Sequence, residues 1–322
     1  MKHLTASLRA RTRRWLRRRQ GADHGAVALH RGRIYILPTR LGIVFATMIG
    51  AMLLGSLNYG NNLGLGLTFL LAALGLVAMY RCHRNLLGLT VQIAGGEPCF
   101  AGDPAGFTVT AVNPSRAPRH DLQFANDADA GTPLSLAGGE TGCTTLRLPT
   151  VRRGRVRLER CVVTTHYPFA LFHSWAVLHP DASVVVYPRP AREAPLPHLA
   201  AAPECGTSPG RAGEDFAGLK DYRPGDPLKH VAWKALARTG EMLVKEFAGE
   251  AGTVHLFDLD HAPGSDPEAR LAVLARWIVD ADAAGGTYGL ALGAARFEPA
   301  AGPAQRERCL TALADFPGAG TA

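Results

Sequence analysis

The hydrophobic pattern divides the chain into distinct regimes. A polar, basic stretch of about forty residues gives way to two uninterrupted apolar runs, Leu41–Leu57 and Leu63–Tyr80, with no charged side chain in either. Each is long enough to span the hydrocarbon core of a bilayer as a helix, which takes roughly 17–25 residues. Only Asn58-Tyr59-Gly60-Asn61-Asn62 separates them, which predicts a tight antiparallel hairpin. From Leu86 to Pro190 the period changes to two: Leu87, Leu89, Val91 and Ile93 alternate with polar positions, and so do Phe107, Val109 and Ala111 before Asn113-Pro114 ends the run. Leu146–Leu148, Arg155–Val163 and Ser183–Tyr187 read the same way, and short strands at this spacing predict an antiparallel β-sandwich. Pro188–Pro209 is rich in Pro and Ala and reads as a linker. Beyond it, the apolar run Thr253–Leu259, a helical pattern over Pro267–Ala283 and a second strand-like run, Thr287–Leu292, predict a crossover unit with a parallel pair, followed by a helix over Gln305–Phe316.

The expected fold class is therefore α+β multidomain: a two-helix transmembrane hairpin, a β-sandwich and a short α/β unit. The segments are a basic leader (1–35), the hairpin (36–80), the sandwich (81–190), the linker (191–212), a charged segment (213–250) and the α/β unit (251–322).

Charge sharpens this division. The net charge is +8, yet residues 1–40 hold eleven Lys and Arg against one acid, Asp23. The remainder is close to neutral, so nucleic-acid binding is not implied. Arg40 on one side and Arg81, His83 and Arg84 on the other flank the outer ends of the hairpin, and its turn carries no charge. The positive-inside rule then places both termini in the cytoplasm of a two-pass protein of the inner (plasma) membrane. The leader arginines would contact anionic lipid, at about 1 kcal/mol each. The long polar leader argues against a cleaved signal peptide. Gly42, Ala46 and Gly50, four residues apart, would let the two helices approach closely. The six cysteines are scattered without metal or redox spacing and are expected to be free thiols.

Gly213–Glu250 packs charges, glycines and aromatics more densely than folding requires. Asp226-Pro227 is a helix start, a carboxylate N-cap followed by proline at the first position, and Gly240 suits the stop. Leu228, Val231, Ala232 and Ala235 fall on one face, while His230, Lys234 and Arg238 line the other, with Trp233 adjoining. Lys220 and Arg223 arrive from the preceding turn. Two readings stay open. Bases and acids pair with one another and clamp the segment against a strand at Glu241–Glu250, each surface pair contributing about 0–1 kcal/mol; or Lys220, Arg223, Lys234 and Arg238 converge on a phosphate or an acidic partner segment, with Trp233 as an anchor for a partner protein. In the α/β unit, Asp258 and Asp260 end the first apolar run, where parallel sheets bind ligands; together they could hold a hard cation weakly. No Gly-rich phosphate loop or zinc-type cluster is present in the sequence.

The run from Gly213 through Lys234, with Ala237-Arg238-Thr239-Gly240 and Val244-Lys245-Glu246-Phe247, resembles the defining segment of a bacterial family called domain of unknown function 58. Arg152-Arg153-Gly154 and Thr165-His166-Tyr167-Pro168-Phe169-Ala170-Leu171-Phe172 resemble elements upstream of it; read physically, Tyr167-Pro168-Phe169 is a sandwich corner whose aromatics plug the core. Lys220 and Lys229 stand where the family pattern has arginine. The resemblance implies a membrane-anchored protein whose carboxyl-terminal unit is a truncated von Willebrand factor A-like domain. In that domain's Asp-x-Ser-x-Ser metal pattern, Asp260 and Ala262 would replace the two serines, so magnesium binding is expected to be weak or absent. The resemblance also implies partners: a MoxR-type AAA+ ATPase and a transglutaminase-like membrane protein. The function expected is a cytoplasm-facing interaction or adaptor protein of the membrane, and not an enzyme. The alternatives are a metal-dependent, hydrolase-like enzyme using Asp258 and Asp260, and a purely structural envelope protein.

Overall fold

The computed structural model describes residues 23–196 and 254–317, with the backbone of 215–221 and 243–248. The chain divides into two compact units, residues 1–189 and 190–322.

The first unit is built mainly of three sheets. Strands β1 (Val27–Ala28), β3 (Thr90–Gly95), β5 (Ala105–Val112) and β8 (Thr141–Leu148) form a four-stranded antiparallel sheet in the order β1-β3-β5-β8. A five-stranded antiparallel sheet contains β2 (Ile34–Pro38), β11 (Phe172–Leu178), β10 (Cys161–Thr165), β6 (Arg119–Ala125) and β7 (Leu134–Leu136), in that order. A small sheet joins β4 (Cys99–Phe100) in parallel and β9 (Gly154–Arg157) antiparallel to β12 (Ser183–Tyr187). The two larger sheets share one core, to which β5 gives Phe107, Val109 and Ala111, β6 gives Leu122 and Phe124, and β10 gives Val163. Phe107 and Phe124 are completely buried, each contributing on the order of 2–3 kcal/mol. The alternation at Leu89, Val91, Phe107, Val109 and Ala111 predicted these inward positions correctly.

Two helices, α1 (Arg40–Asn58) and α2 (Asn62–Leu86), are inserted between β2 and β3. Both are long and apolar enough to cross a membrane, and only 6% and 11% of their apolar windows are buried, too little for core helices. They pack on one another where Phe45 faces Gly75 and Ser56 faces Gly64. Each opens on a side-chain cap: Thr39 Oγ1 accepts from the Gly42 amide at 3.1 Å and Asn61 Oδ1 from the Gly64 amide at 3.0 Å.

Several boundaries move from those expected. Ile34–Pro38, assigned by pattern to the end of the leader and the start of the hairpin, is a strand paired with β11, because its apolar run merges in sequence with the helix that follows. The second helix runs past Tyr80 to Leu86, since Cys82, Asn85 and Leu86 are buried against the β-body. Arg155–Val163 breaks into β9 and β10, which lie in different sheets. Arg33, counted with the exposed leader charges, is paired at 2.7 Å with Asp23, whose other oxygen accepts from the His179 amide.

The small-residue spacing also serves a different contact. A Cβ on Gly42 would stand 2.0 Å from the carbonyl oxygen of Leu171, whereas one on Gly50 would meet nothing within 4 Å. Gly42 therefore lets α1 dock on the loop before β11, where Thr39 N donates to Leu171 O at 2.9 Å and Thr39 Oγ1 to Ala170 O at 2.6 Å. In that loop Phe169 is 52% exposed and Leu171 is buried. Phe169 is thus not the core plug that the sequence suggested; the backbone of its loop is held against the first helical turn.

In the second unit, β15 (Val254–Asp258) and β16 (Thr287–Leu292) pair in parallel and are joined by α3 (Pro267–Ala283), as the pattern predicted. Strand β17 (Ala295–Ala300), which the pattern did not reveal, adds antiparallel to β16, and α4 (Pro303–Asp315) follows. Asp266 caps α3 through the Ala269 amide, with Pro267 in the first turn. Phe257, Tyr288 and Trp277 form the aromatic centre of this core.

Replacing Gly42 by valine should lower stability by roughly 2–3 kcal/mol, because backbone lies on both sides of the clash and neither side chain nor loop tip can yield. Gly50→Ala should be neutral or slightly stabilising. Thermal melts of the two purified variants in detergent test the contrast, and equal melting temperatures would contradict the docking role of Gly42.

Candidate functional site

The base of α2 is where the chain concentrates its buried polar chemistry. Asn85, 4% exposed, projects into the β-body. Its Nδ2 donates to His120 O at 2.6 Å and to Thr165 Oγ1 at 2.8 Å, and its Oδ1 accepts from His120 N at 3.0 Å. The side-chain amide thus occupies the place of a strand neighbour, satisfying both backbone groups of His120. Thr165, fully buried, donates to the same carbonyl at 3.2 Å.

Arg119 closes the arrangement from β6. Its guanidinium donates to the carbonyls of Arg84 and Leu87, at the end of α2, and its Nε to Asn113 Oδ1 at 3.2 Å. Those carbonyls belong to the turn where a helix leaves its acceptors unpaired and its dipole is negative. The cation is 5% exposed and has no carboxylate partner among the described residues; the helix end supplies its compensation. Burial, and secondarily the neighbouring Arg84, push its proton affinity below the ordinary arginine range. Asn113, in turn, donates to Ala117 O at 2.9 Å and Ala137 O at 2.8 Å, which makes the Asn-Pro punctuation of the sequence a structural knot.

Outside this network lies a cleft of about 210 Å³ whose wall includes Tyr80, Arg81, Arg84, His120 and Tyr167. Arg84 Nη1 donates to the Tyr80 hydroxyl at 3.2 Å and lies over the same ring. The His120 and Tyr167 rings stand 4.6 Å apart. The sequence reading used Arg81 and Arg84 only as topology signals and did not single out Arg119 or His120; nothing in the linear pattern marks the polar start of β6 as a lining. A row of rings also crosses the five-stranded sheet: Tyr35 on Trp175 at 5.7 Å, Trp175 on His173 at 5.1 Å and His173 on His166 at 4.6 Å. Burial first, then His166, lowers the His173 pKa.

Of the residues the sequence nominated, Arg223, Asp226, His230, Trp233, Lys234 and Arg238 lie outside the described residues. Lys220 is in β13 (Asp215–Asp221), opposite Val244 of β14 (Leu243–Ala248). The two strands pair antiparallel, with Asp221 and Leu243 as register partners.

Asp258 ends β15. Its Oδ1 accepts from the Asp260 amide at 3.0 Å, and Oδ2 contacts His261 Nδ1 at 3.1 Å. The amide, and to a lesser degree His261, hold the carboxyl below its usual range against the opposing effect of burial. Each oxygen thus makes one contact within its own turn and keeps a further lone pair. Ala262, where the metal pattern would place a hydroxyl, is buried and offers no ligand. Among the described residues no group of three His, Cys, Asp or Glu gathers to hold a metal. The site thus lacks the hydroxyl that the metal pattern has at position 262.

Comparison with protein-family models and with curated proteins finds no match to this chain.

Arg119→Leu should lower stability by about 3 kcal/mol, since it leaves two helix-end carbonyls without their donor and removes one of the two donors to Asn113 Oδ1. Arg119→Lys should recover less than half, because an ammonium lacks the planar fork. Denaturation midpoints in detergent measure both; full recovery by lysine would mean that charge alone matters there.

Proposed function

We propose that the chain is a membrane-anchored interaction protein: α1 and α2 cross the bilayer as a hairpin, and a β-sandwich and a short von Willebrand factor A-like unit stand in the cytoplasm. The observation that carries this reading is the insertion of two exposed, apolar helices between β2 and β3, strands whose sheets share one core. A chain that leaves one folded body and returns to it must cross a membrane an even number of times. The basic residues at both outer ends of the pair favour the cytoplasm for that body.

The partner surface in this reading is the segment from Lys220 to Arg238, which begins in β13. Its basic residues and Trp233 suit an acidic, partly apolar patch on a partner. The resemblance to the domain of unknown function 58 family nominates that partner as a MoxR-type AAA+ ATPase acting in envelope assembly, with a transglutaminase-like membrane protein in the same system. In the α/β unit, Ala262 offers no hydroxyl where the metal pattern has one, which favours the interaction reading over metal-dependent hydrolysis.

A tagged full-length protein, extracted from membranes in detergent, should co-purify with an AAA+ ATPase, and the double variant Arg238→Glu, Trp233→Ala should recover at least about tenfold less of it. Recovery of the same partners in the same amounts by both proteins would remove the segment as the docking surface.

A further inference from the structure

The cleft at the base of α2 is built for an anion. Arg81 and Arg84 are exposed, and both stand within four residues of Tyr80, which ends the apolar run and is itself 57% exposed. Arg81 has no hydrogen-bond or ion-pair partner among the described residues, and Arg84 bonds only the uncharged Tyr80 hydroxyl. Arg119 sits behind them, its donors turned inward onto the helix end, so it adds positive field without offering contacts. Among the described residues the lining contains no carboxylate. Three guanidinium groups around one concave space, without an acid to neutralise them, is an arrangement that self-repulsion disfavours unless something negative enters.

The shape and place of the cleft narrow the occupant. Its volume of about 210 Å³ is several times the roughly 30 Å³ share of a water molecule, enough for a phosphate with its ester substituents. Tyr80 and the His120–Tyr167 pair give it apolar ring surface beside the cations. It opens at the level where the second apolar helix ends, which is where headgroups lie and where tyrosine and arginine concentrate in membrane proteins. A soluble phosphate compound would not need this position.

We propose that this cleft binds the phosphodiester of an anionic phospholipid headgroup, with Arg81 and Arg84 as its ligands and Tyr80 and Tyr167 as its walls. This rests on the membrane reading given above. Bound there, the lipid neutralises the cluster and fixes the depth and tilt at which the sandwich sits on the membrane.

The test uses full-length protein in a neutral detergent, with phosphatidylglycerol, phosphatidylcholine or inorganic phosphate added, and native mass spectrometry and thermal melts as readouts. Phosphatidylglycerol should be retained in preference to phosphatidylcholine by roughly tenfold or more and should raise the melting temperature. Arg81→Gln, Arg84→Gln should bring the preference close to one while leaving the lipid-free melting temperature unchanged. The single variant Arg81→Gln, whose side chain has no described partner to lose, should halve the preference or more even if the double variant folds poorly. Equal retention of both lipids by the wild type, or an undiminished preference in Arg81→Gln and the double variant, overturns the proposal. So does stabilisation by inorganic phosphate equal to that by phosphatidylglycerol, which would assign the cleft to a soluble anion. Wild-type protein that leaves the membrane fraction in carbonate without detergent would instead refute the membrane reading itself.

Discussion

A buried cation set against a helix end holds this protein's two kinds of structure together. Arg119 is expensive to bury: a guanidinium without a carboxylate keeps its place only if acceptors and negative potential are close by. The carbonyls of Arg84 and Leu87 supply both, because they lie in the last turn of α2. One residue further in, Asn85 pairs with the backbone of His120 as a strand would. The apolar helix and the sheet edge therefore complete each other, and neither end is satisfied alone. On the other side, Thr39 and Gly42 bind α1 to the loop at Ala170 and Leu171. The helix pair is fastened at both of its roots.

That double attachment has a mechanical consequence for the proposed function. A domain tethered by a flexible linker samples many orientations above a membrane, whereas a body joined to two helices through several hydrogen bonds at each root has few. The segment that the proposal assigns to a partner belongs to the second unit, after the Pro- and Ala-rich stretch.

Much of the fold was legible in the sequence wherever one local signal dominated. The helix Pro267–Ala283 and the strand Thr287–Leu292 match the pattern, the helix because Asp266 and Pro267 mark its start unambiguously. The inward positions of β5 followed from strict alternation. What escaped were features decided by tertiary context. Ile34–Pro38 is a strand next to an apolar helix, and hydropathy alone cannot divide the two. Strand β6 opens with Arg119-His120-Asp121, which reads as a loop until the helix end that accepts the arginine is in place. Gly42 was recognised as a close-approach residue, but its neighbour is a loop carbonyl instead of a second helix. The cleft at Arg81 and Arg84 could be sensed only as charge; its lining comes from three separate parts of the chain.

The central claim is that α1 and α2 cross the membrane and return to a single β-body on one side. Labelling with a membrane-impermeant maleimide in sealed right-side-out vesicles tests it most directly, using Tyr59→Cys in the turn between the helices and the native, exposed Cys143 in the β-body, with sites resolved by peptide mass. The account predicts that the turn cysteine reacts in intact vesicles and Cys143 only after they are opened. Reaction of both in intact vesicles, or of neither until the vesicles are opened, would contradict the account.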